Sequence, residues 1–300
     1  MKKMIAFATL ALTLLLFVPA SFAELTKLAD NVYAYVGVKD ASPAHSYAAN
    51  AGIVIGRDGI LVIDTLISAR EGQRFLADIR NLTDLPIRYV VNTHTHLDHA
   101  FGNCVFAKLG ATVISQEADR ALLASQGADI LKRAGEYGLT PEDMAGTEIA
   151  VPTLAFGDHL AIDLGGEEVR LIRTAPSHTA GSLVVHVPSQ KLLFAGDILF
   201  TDFHPYLADG DFDGWIKTLD ALMTMDVERI VPGHGPLSTK QDLREMKEYL
   251  VLFDKKAREL AAASPDAEAI ATQLLLILPK RSMAEWMVET NVKGRYSAKK

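Results

Sequence analysis

Ten residues, Asn92-Thr93-His94-Thr95-His96-Leu97-Asp98-His99-Ala100-Phe101, set three imidazoles and one carboxylate in the pattern H-x-H-x-D-H. Imidazole and carboxylate are metal-binding side chains, and a loop of merely solvated histidines rarely packs four such residues into six positions. On an extended or tightly looped backbone, alternate residues point to the same side. His94 and His96 therefore converge on one point while Asp98 and His99 turn toward a neighbouring one, a layout for two adjacent metal ions. Three more candidates stand downstream, each where a strand-like run ends: His178 after 169–173, Asp197 after 192–195 and His234 after 229–231. Glycine beside Asp197 and on both sides of His234 permits sharp turns and close backbone approach. Polar side chains on loops over a rigid sheet are a common way to build an active site.

The elements that would position these residues are short apolar runs bounded by Gly, Asp or Pro. Strands are expected over 32–38, 51–56 and 60–64, then a helix over 69–81 with Phe75 and Ile79 one turn apart. Strands over 89–92 and 112–115 and a helical stretch over 116–133 complete the first half. The second half begins again with strands over 160–164, 169–173, 182–187 and 192–195. A helix over 212–223 carries Phe212, Trp215, Ile216, Leu219 and Met223 on one stripe, and 229–231 is a last short strand. Ser238 with Gln241 three residues on resembles a capping box and starts a helix to about 262. After Ser264-Pro265, further helices are expected over 267–278 and 283–292, with Met283, Trp286 and Met287 facing the core, or a partner subunit as the alternative. Two halves that each run strands first and helices after predict an α+β protein of four layers, two mixed sheets face to face with helices outside.

Residues 1–23 read as a signal peptide, leaving a main domain over 24–263 and a helical extension over 264–300. Lys2 and Lys3 form a positive start, Pro19 ends the uncharged run 5–18, and Ser21-Phe22-Ala23 offers small residues at a cleavage site. That run is shorter than the roughly 20 residues that span a bilayer. Cleavage after Ala23 and export, most simply to a bacterial periplasm, are expected, with no stable membrane insertion afterwards. The formal charge is −7, and losing Lys2 and Lys3 makes it more negative. Such a surface disfavours nucleic acid and anionic lipid and leaves a small-molecule substrate as the expected partner. Cys104 is the single cysteine, so no intramolecular disulfide forms, and beside Val105-Phe106 it reads as a buried, inert thiol.

With the strand ending in Asp64, then His94/His96/Asp98/His99, His178, Asp197 and His234 in order, the chain resembles the metallo-β-lactamase superfamily of hydrolases. The resemblance runs from about residue 32 to His234 and the helix after it, and it implies an αββα sandwich. It implies that His94, His96 and His178 bind a first metal, that Asp98, His99 and His234 bind a second, and that Asp197 bridges both. Asp64 would steady the ligand loop by hydrogen bonds without touching metal. That donor set suits two zinc ions, with iron or manganese as alternatives. The implied chemistry is two-metal hydrolysis by a metal-bridging hydroxide. Asp98 would be the catalytic carboxylate, orienting the nucleophile or taking up a proton.

Departures from the family's branches narrow the choice. Flavodiiron members carry Glu where this chain has His96. The best-known secreted β-lactamases have Cys in place of Asp197 and Lys in place of Phe200, and the other dizinc β-lactamase branch lacks the bridging Asp. Glyoxalase II enzymes share all seven ligands but follow the bridging Asp with Cys-Gly-Arg, where this chain has Thr201-Asp202-Phe203-His204-Pro205-Tyr206. Ser177 stands where most members have Gly. The loop 200–213 is therefore expected to shape the substrate pocket through Phe203, His204 and Tyr206, with His45 reaching over the site from its Ser/Ala/Pro-rich loop. His159 and His186 read as ordinary surface or strand residues. The function expected is a periplasmic dinuclear-zinc hydrolase of a β-lactam, lactone, thioester or ester, with antibiotic breakdown as one outcome of a β-lactamase-like classification. A mononuclear-iron sulfur dioxygenase using His94, His178 and Asp197, and a non-catalytic accessory protein of a periplasmic pathway, remain as alternatives.

Overall fold

A computed structural model describes residues 25–296, so the signal-peptide reading of 1–23 lies outside the described residues. The first sheet runs β1 (Thr26–Ala29), β2 (Val32–Ala34), β3 (Gly52–Gly56), β4 (Gly59–Ile63), β5 (Ile87–Val91), β6 (Thr112–Gln116) and β7 (Leu154–Phe156) in spatial order. The second is formed by β8 (His159–Asp163), β9 (Glu168–Arg173), β10 (Leu183–Val187), β11 (Leu192–Phe200) and β12 (Arg229–His234). Each sheet is mixed: β1 to β4 pair antiparallel and β4 to β7 parallel, while β8 to β11 pair antiparallel and β11 with β12 parallel.

The period-two alternation of apolar residues builds the layers. On β4, Leu61 and Ile63 join Leu183, Val185, Leu192 and Phe194 of the other sheet between the two sheets. Ile60 and Val62 face outward onto Phe75 and Ile79 of α1 (Ala69–Leu82) and Phe106 of α3 (Asn103–Ala107), which follows the single turn α2 (Leu97–Ala100). α4 (Glu117–Lys132) follows β6 on the same half of the chain. On the outer face of the second sheet, Val184, Leu193 and Ala195 pack with α5 (Phe212–Thr224), α6 (Lys240–Ala263), α7 (Ala267–Ile277) and α8 (Trp286–Arg295). The result is the four-layer αββα sandwich. Among the described residues no helix is long and apolar enough to cross a membrane.

Several local expectations are corrected. The strand expected over 32–38 stops at Ala34, and the one over 192–195 continues to Phe200, carrying Asp197 inside it. The cap of α6 is Thr239, whose capping box closes with Asp242, one residue later than Ser238 and Gln241. The Ser238 hydroxyl is instead engaged with Pro236 O and Thr201 Oγ1. Trp286 does not face the core: it is 49% exposed and its ring lies 6.0 Å from that of Tyr47, while Met283 and Met287 are partly buried against the core. Cys104 is buried, as expected of an inert thiol.

Candidate metal centre

The candidate ligand residues come from the β5–α2 segment, the β9–β10 connection, strand β11 and the end of β12, and local hydrogen bonds explain why the loops hold their shape. β5 ends at Val91, and Asn92 and Asn103 exchange side-chain hydrogen bonds of 2.9 and 2.8 Å, closing the segment between them. His94 and His96 lie on the loop, and His96 occupies the position before α2. Asp98 and His99 sit within that one helical turn, and the His99 ring lies 4.3 Å from that of His94. His178 lies on the β9–β10 connection, which Asp119 of α4 secures by accepting bonds from Gly181 N at 2.9 Å and Thr179 Oγ1 at 3.0 Å. Asp197 projects from β11 and His234 ends β12.

These residues form two groups. Ligand atoms of His94, His96, His178 and Asp197 lie within 4.8 Å of one another, and those of Asp98, His99 and His234 do likewise. Asp197 stands between them. Its Oδ2 is 3.2 Å from His178 Nε2 and 3.7 Å from His94 Nε2, while its Oδ1 is 3.1 Å from His99 Nε2 and 3.5 Å from His234 Nε2. Asp98 Oδ2 is 3.3 Å from His234 Nε2 and 3.6 Å from His99 Nε2. His96 turns Nδ1 inward, 2.8 Å from His178 Nε2.

The donor set fits metal. His94 Nε2 and Asp197 Oδ1 are buried without a hydrogen-bond partner among the described residues. Leaving buried polar atoms unpaired costs about 1–3 kcal/mol each, and a bound metal would satisfy both. Burial holds the His94 imidazole well below its usual range and that of His178 down at about 3, with neighbouring imidazoles working in the same direction. Both rings are therefore neutral, the form that binds metal. Burial also disfavours charge on His234, but Asp197 and Asp98 outweigh it and lift the ring to about 9. Burial opposes ionisation of Asp197 as well, yet the surrounding imidazoles, His99 foremost, keep it ionised far below the usual carboxylate range.

Asp64 takes the supporting place. It is buried at the end of β4 with a positive φ of 57°, an unusual conformation for a non-glycine residue. One oxygen accepts from Thr93 N at 2.8 Å; the other accepts from Thr93 Oγ1 at 2.7 Å and pairs with His99 Nδ1 at 2.9 Å. Such outward hydrogen bonds fix the tautomer and ring angle of a ligand histidine. Gly233 is required by packing: a Cβ there would lie 1.8 Å from Asp197 Oδ1.

The substrate-side expectations separate. Tyr206 stands at the centre, its ring 5.6 Å from His96 and 6.2 Å from His178. Phe203 is fully buried behind it, 4.7 Å from the His234 ring, which also stacks on Phe200 at 5.1 Å. His204 turns away, bonding the Tyr249 hydroxyl of α6 at 2.8 Å. His45 pairs at 2.6 Å with Asp40 in its own loop rather than with the cluster. Three contacts were absent from the sequence reading. Asp209 Oδ2 lies 3.4 Å from His96 Nε2, Tyr47 O pairs with His234 Nδ1 at 3.0 Å, and the Trp215 ring lies 5.3 Å from that of His178. Asp209 sits in the acid-rich run Asp209-Gly210-Asp211, where nothing in the sequence separates it from Asp211, the cap of α5. Tyr47 acts through its backbone, which carries no sequence signal.

Residues 47–234 match the sequence profile of the family described as Metallo-beta-lactamase superfamily. The chain is 25% identical over 181 residues to the 2,4-dinitroanisole O-demethylase subunit alpha of Nocardioides sp. (strain JS1661), covering 60% of this chain and 50% of that protein. It is 22% identical over 232 residues to the metallo-beta-lactamase type 2 of Bacteroides fragilis, covering 76% of this chain and 85% of that enzyme. The chain thus spans only half the length of the demethylase subunit. Among solved structures, a metallo-beta-lactamase from Pontibacter korlensis superposes with a TM-score of 0.63 at 22% identity, over 76% of this chain and 99% of that one.

Proposed function

The chain belongs to the metallo-β-lactamase superfamily, and from that premise we propose that it is a periplasmic dinuclear-zinc hydrolase of a carboxylic derivative: a β-lactam, lactone, thioester or ester. The observation that carries the reading is the placing of Asp197, with one oxygen toward His94 and His178 and the other toward His99 and His234. His94, His96 and His178 would hold one metal, Asp98, His99 and His234 the other, and Asp197 both. Metals bound there polarise a carbonyl and make water acidic enough to act as a nucleophile near neutral pH.

The chain's own groups supply the rest. Asp98 is the least buried carboxylate of the cluster, its side chain 11% exposed, so it can touch both the centre and an entering substrate. Burial works against its charge, but His99 and His234 keep its pKa below the ordinary carboxylate value. An ionised Asp98 can take the proton of attacking water on a carboxylate oxygen and pass it to the leaving group. Tyr206 offers a ring face beside His96 against which an acyl group can lie. The periplasmic assignment rests on Lys2, Lys3 and the uncharged run 5–18.

Turnover of nitrocefin, a simple lactone and a glutathione thioester by one purified preparation tests the reading. The expected result is hydrolysis of at least one, abolished by chelation and restored by zinc. No zinc-dependent hydrolysis across the panel, or dioxygen consumption with a persulfide by an iron-loaded sample, would overturn it.

A further inference from the structure

Each ligand imidazole turns one nitrogen to the centre and one outward, and the outward partner sets the ring's angle and tautomer. For His94, His99 and His234 that partner is held close by: Thr93 Oγ1 at 3.1 Å, Asp64 at 2.9 Å and Tyr47 O at 3.0 Å. His178 Nδ1 is buried with no hydrogen-bond partner among the described residues, and its ring is packed by Trp215 and Phe200. His96 differs from all four. Its side chain is 21% exposed, and its Nε2 reaches outward to Asp209 Oδ2 at 3.4 Å. The ring with an open side is the one whose orientation most depends on an outside tie.

Asp209 lies on a loop that α8 grips on either side of it. The Asn291 side chain accepts from Leu207 N at 2.6 Å and donates to Pro205 O at 2.8 Å. Arg295 Nη1 donates to Leu207 O at 3.1 Å and to Gly210 O at 2.5 Å. Asn291 is fully buried, so this grip belongs to the packed interior although the Asp209 side chain is 58% exposed.

We propose that Asp209, held in place by Asn291 and Arg295 of α8, is a positioning residue that fixes the ring of His96 for the first metal position. The proposal rests on the reading of the cluster as a metal centre. It gives the C-terminal helices a part in metal binding without any contact between them and a ligand. An exposed acid that is merely solvated predicts no effect on metal binding, and this separates the two readings.

The full chain, stripped of metal, is titrated with zinc against a chromophoric chelator, and the cobalt-loaded protein is followed by its visible absorption. Asp209→Ala is expected to weaken the first position by about 10–100-fold and alter its cobalt spectrum, leaving the second position and the metal-free melting temperature unchanged. Asp209→Asn keeps an acceptor oxygen and recovers most of the affinity. Arg295→Gln, which releases the carbonyls of Leu207, Ala208 and Gly210 around Asp209, shifts affinity in the same direction; an unchanged affinity there overturns the role given to α8. Wild-type affinity in Asp209→Ala, or an equal loss at both positions, overturns the positioning role while leaving the hydrolase reading intact. Wild-type protein that binds no metal overturns both.

Discussion

Asp64→Asn is a nearly isosteric change that tests how the second metal position is built. The carboxylate receives three donors: Thr93 N at 2.8 Å on Oδ1, and Thr93 Oγ1 at 2.7 Å and His99 Nδ1 at 2.9 Å on Oδ2. Asparagine keeps one acceptor oxygen. If that oxygen stays on Thr93 N, the amide NH2 faces the hydroxyl and the imidazole. The hydroxyl can rotate to accept, but His99 must either leave a buried N–H against another donor or move its proton to Nε2. The first outcome costs about 1–3 kcal/mol per unsatisfied group. The second places the proton on the atom that faces Asp197 Oδ1 at 3.1 Å and Asp98 Oδ2 at 3.6 Å, where a metal needs the lone pair. Either way zinc affinity at the second position falls by about 10–100-fold, equivalent to about 1.4–2.7 kcal/mol. The first position loses less, because Asp64 reaches it only through Thr93 Oγ1, which bonds both Asp64 and His94 Nδ1. Chelator competition resolves the two positions, and melting of the metal-free protein reports folding. An unchanged second-position affinity in Asp64→Asn refutes the claim that Asp64 sets the tautomer of His99.

Gly233→Ala places a methyl 1.8 Å from Asp197 Oδ1, so the shared carboxylate must move and zinc binding at both positions weakens in a two-site titration. Zinc affinity at the second position rises with pH because metal must displace the His234 proton. That ring is lifted to about 9 by Asp197 and Asp98 against the pull of burial. The expected slope from this ring is about tenfold per pH unit below that value, flattening above it, as read by chelator competition from pH 6 to 10. The same shift stabilises the metal-free fold fully below the unfolded value of roughly 6.5, and this contribution is lost as pH rises through about 9. Trp215→Ala removes a fully buried ring whose Nε1 donates to Ile198 O at 2.9 Å. Its expected cost is about 3–5 kcal/mol in a urea titration of the metal-free protein.

What the sequence discloses divides by range. His94, His96, Asp98 and His99 are legible because four ligands within one short segment leave few other uses for them. His178 and His234 are legible because each follows an apolar run beside a turn residue, and Asp197 because Gly196 precedes it, although β11 runs on through both. The layers follow from alternation on strands such as β4 and β10, where each face has its own core. β1 and β7 escape notice because Thr26–Ala29 and Leu154–Phe156 are short edge strands with few β-branched residues. Trp286 misleads because its neighbours Met283 and Met287 do pack on the core, while its own partner, Tyr47, belongs to a loop with positive φ at Ser46, Tyr47 and Ala48. Asp209 and His204 lie five residues apart on one loop, and only the packing of α6 and α8 decides which of them meets the metal centre.

Anomalous diffraction from crystals of the zinc-loaded protein tests the central claim most directly. The account predicts two zinc peaks about 3.5–4 Å apart, one among His94, His96 and His178, the other among Asp98, His99 and His234, with Asp197 between them. A single peak held by His94, His178 and Asp197 alone, or iron in place of zinc in protein as isolated, would contradict it.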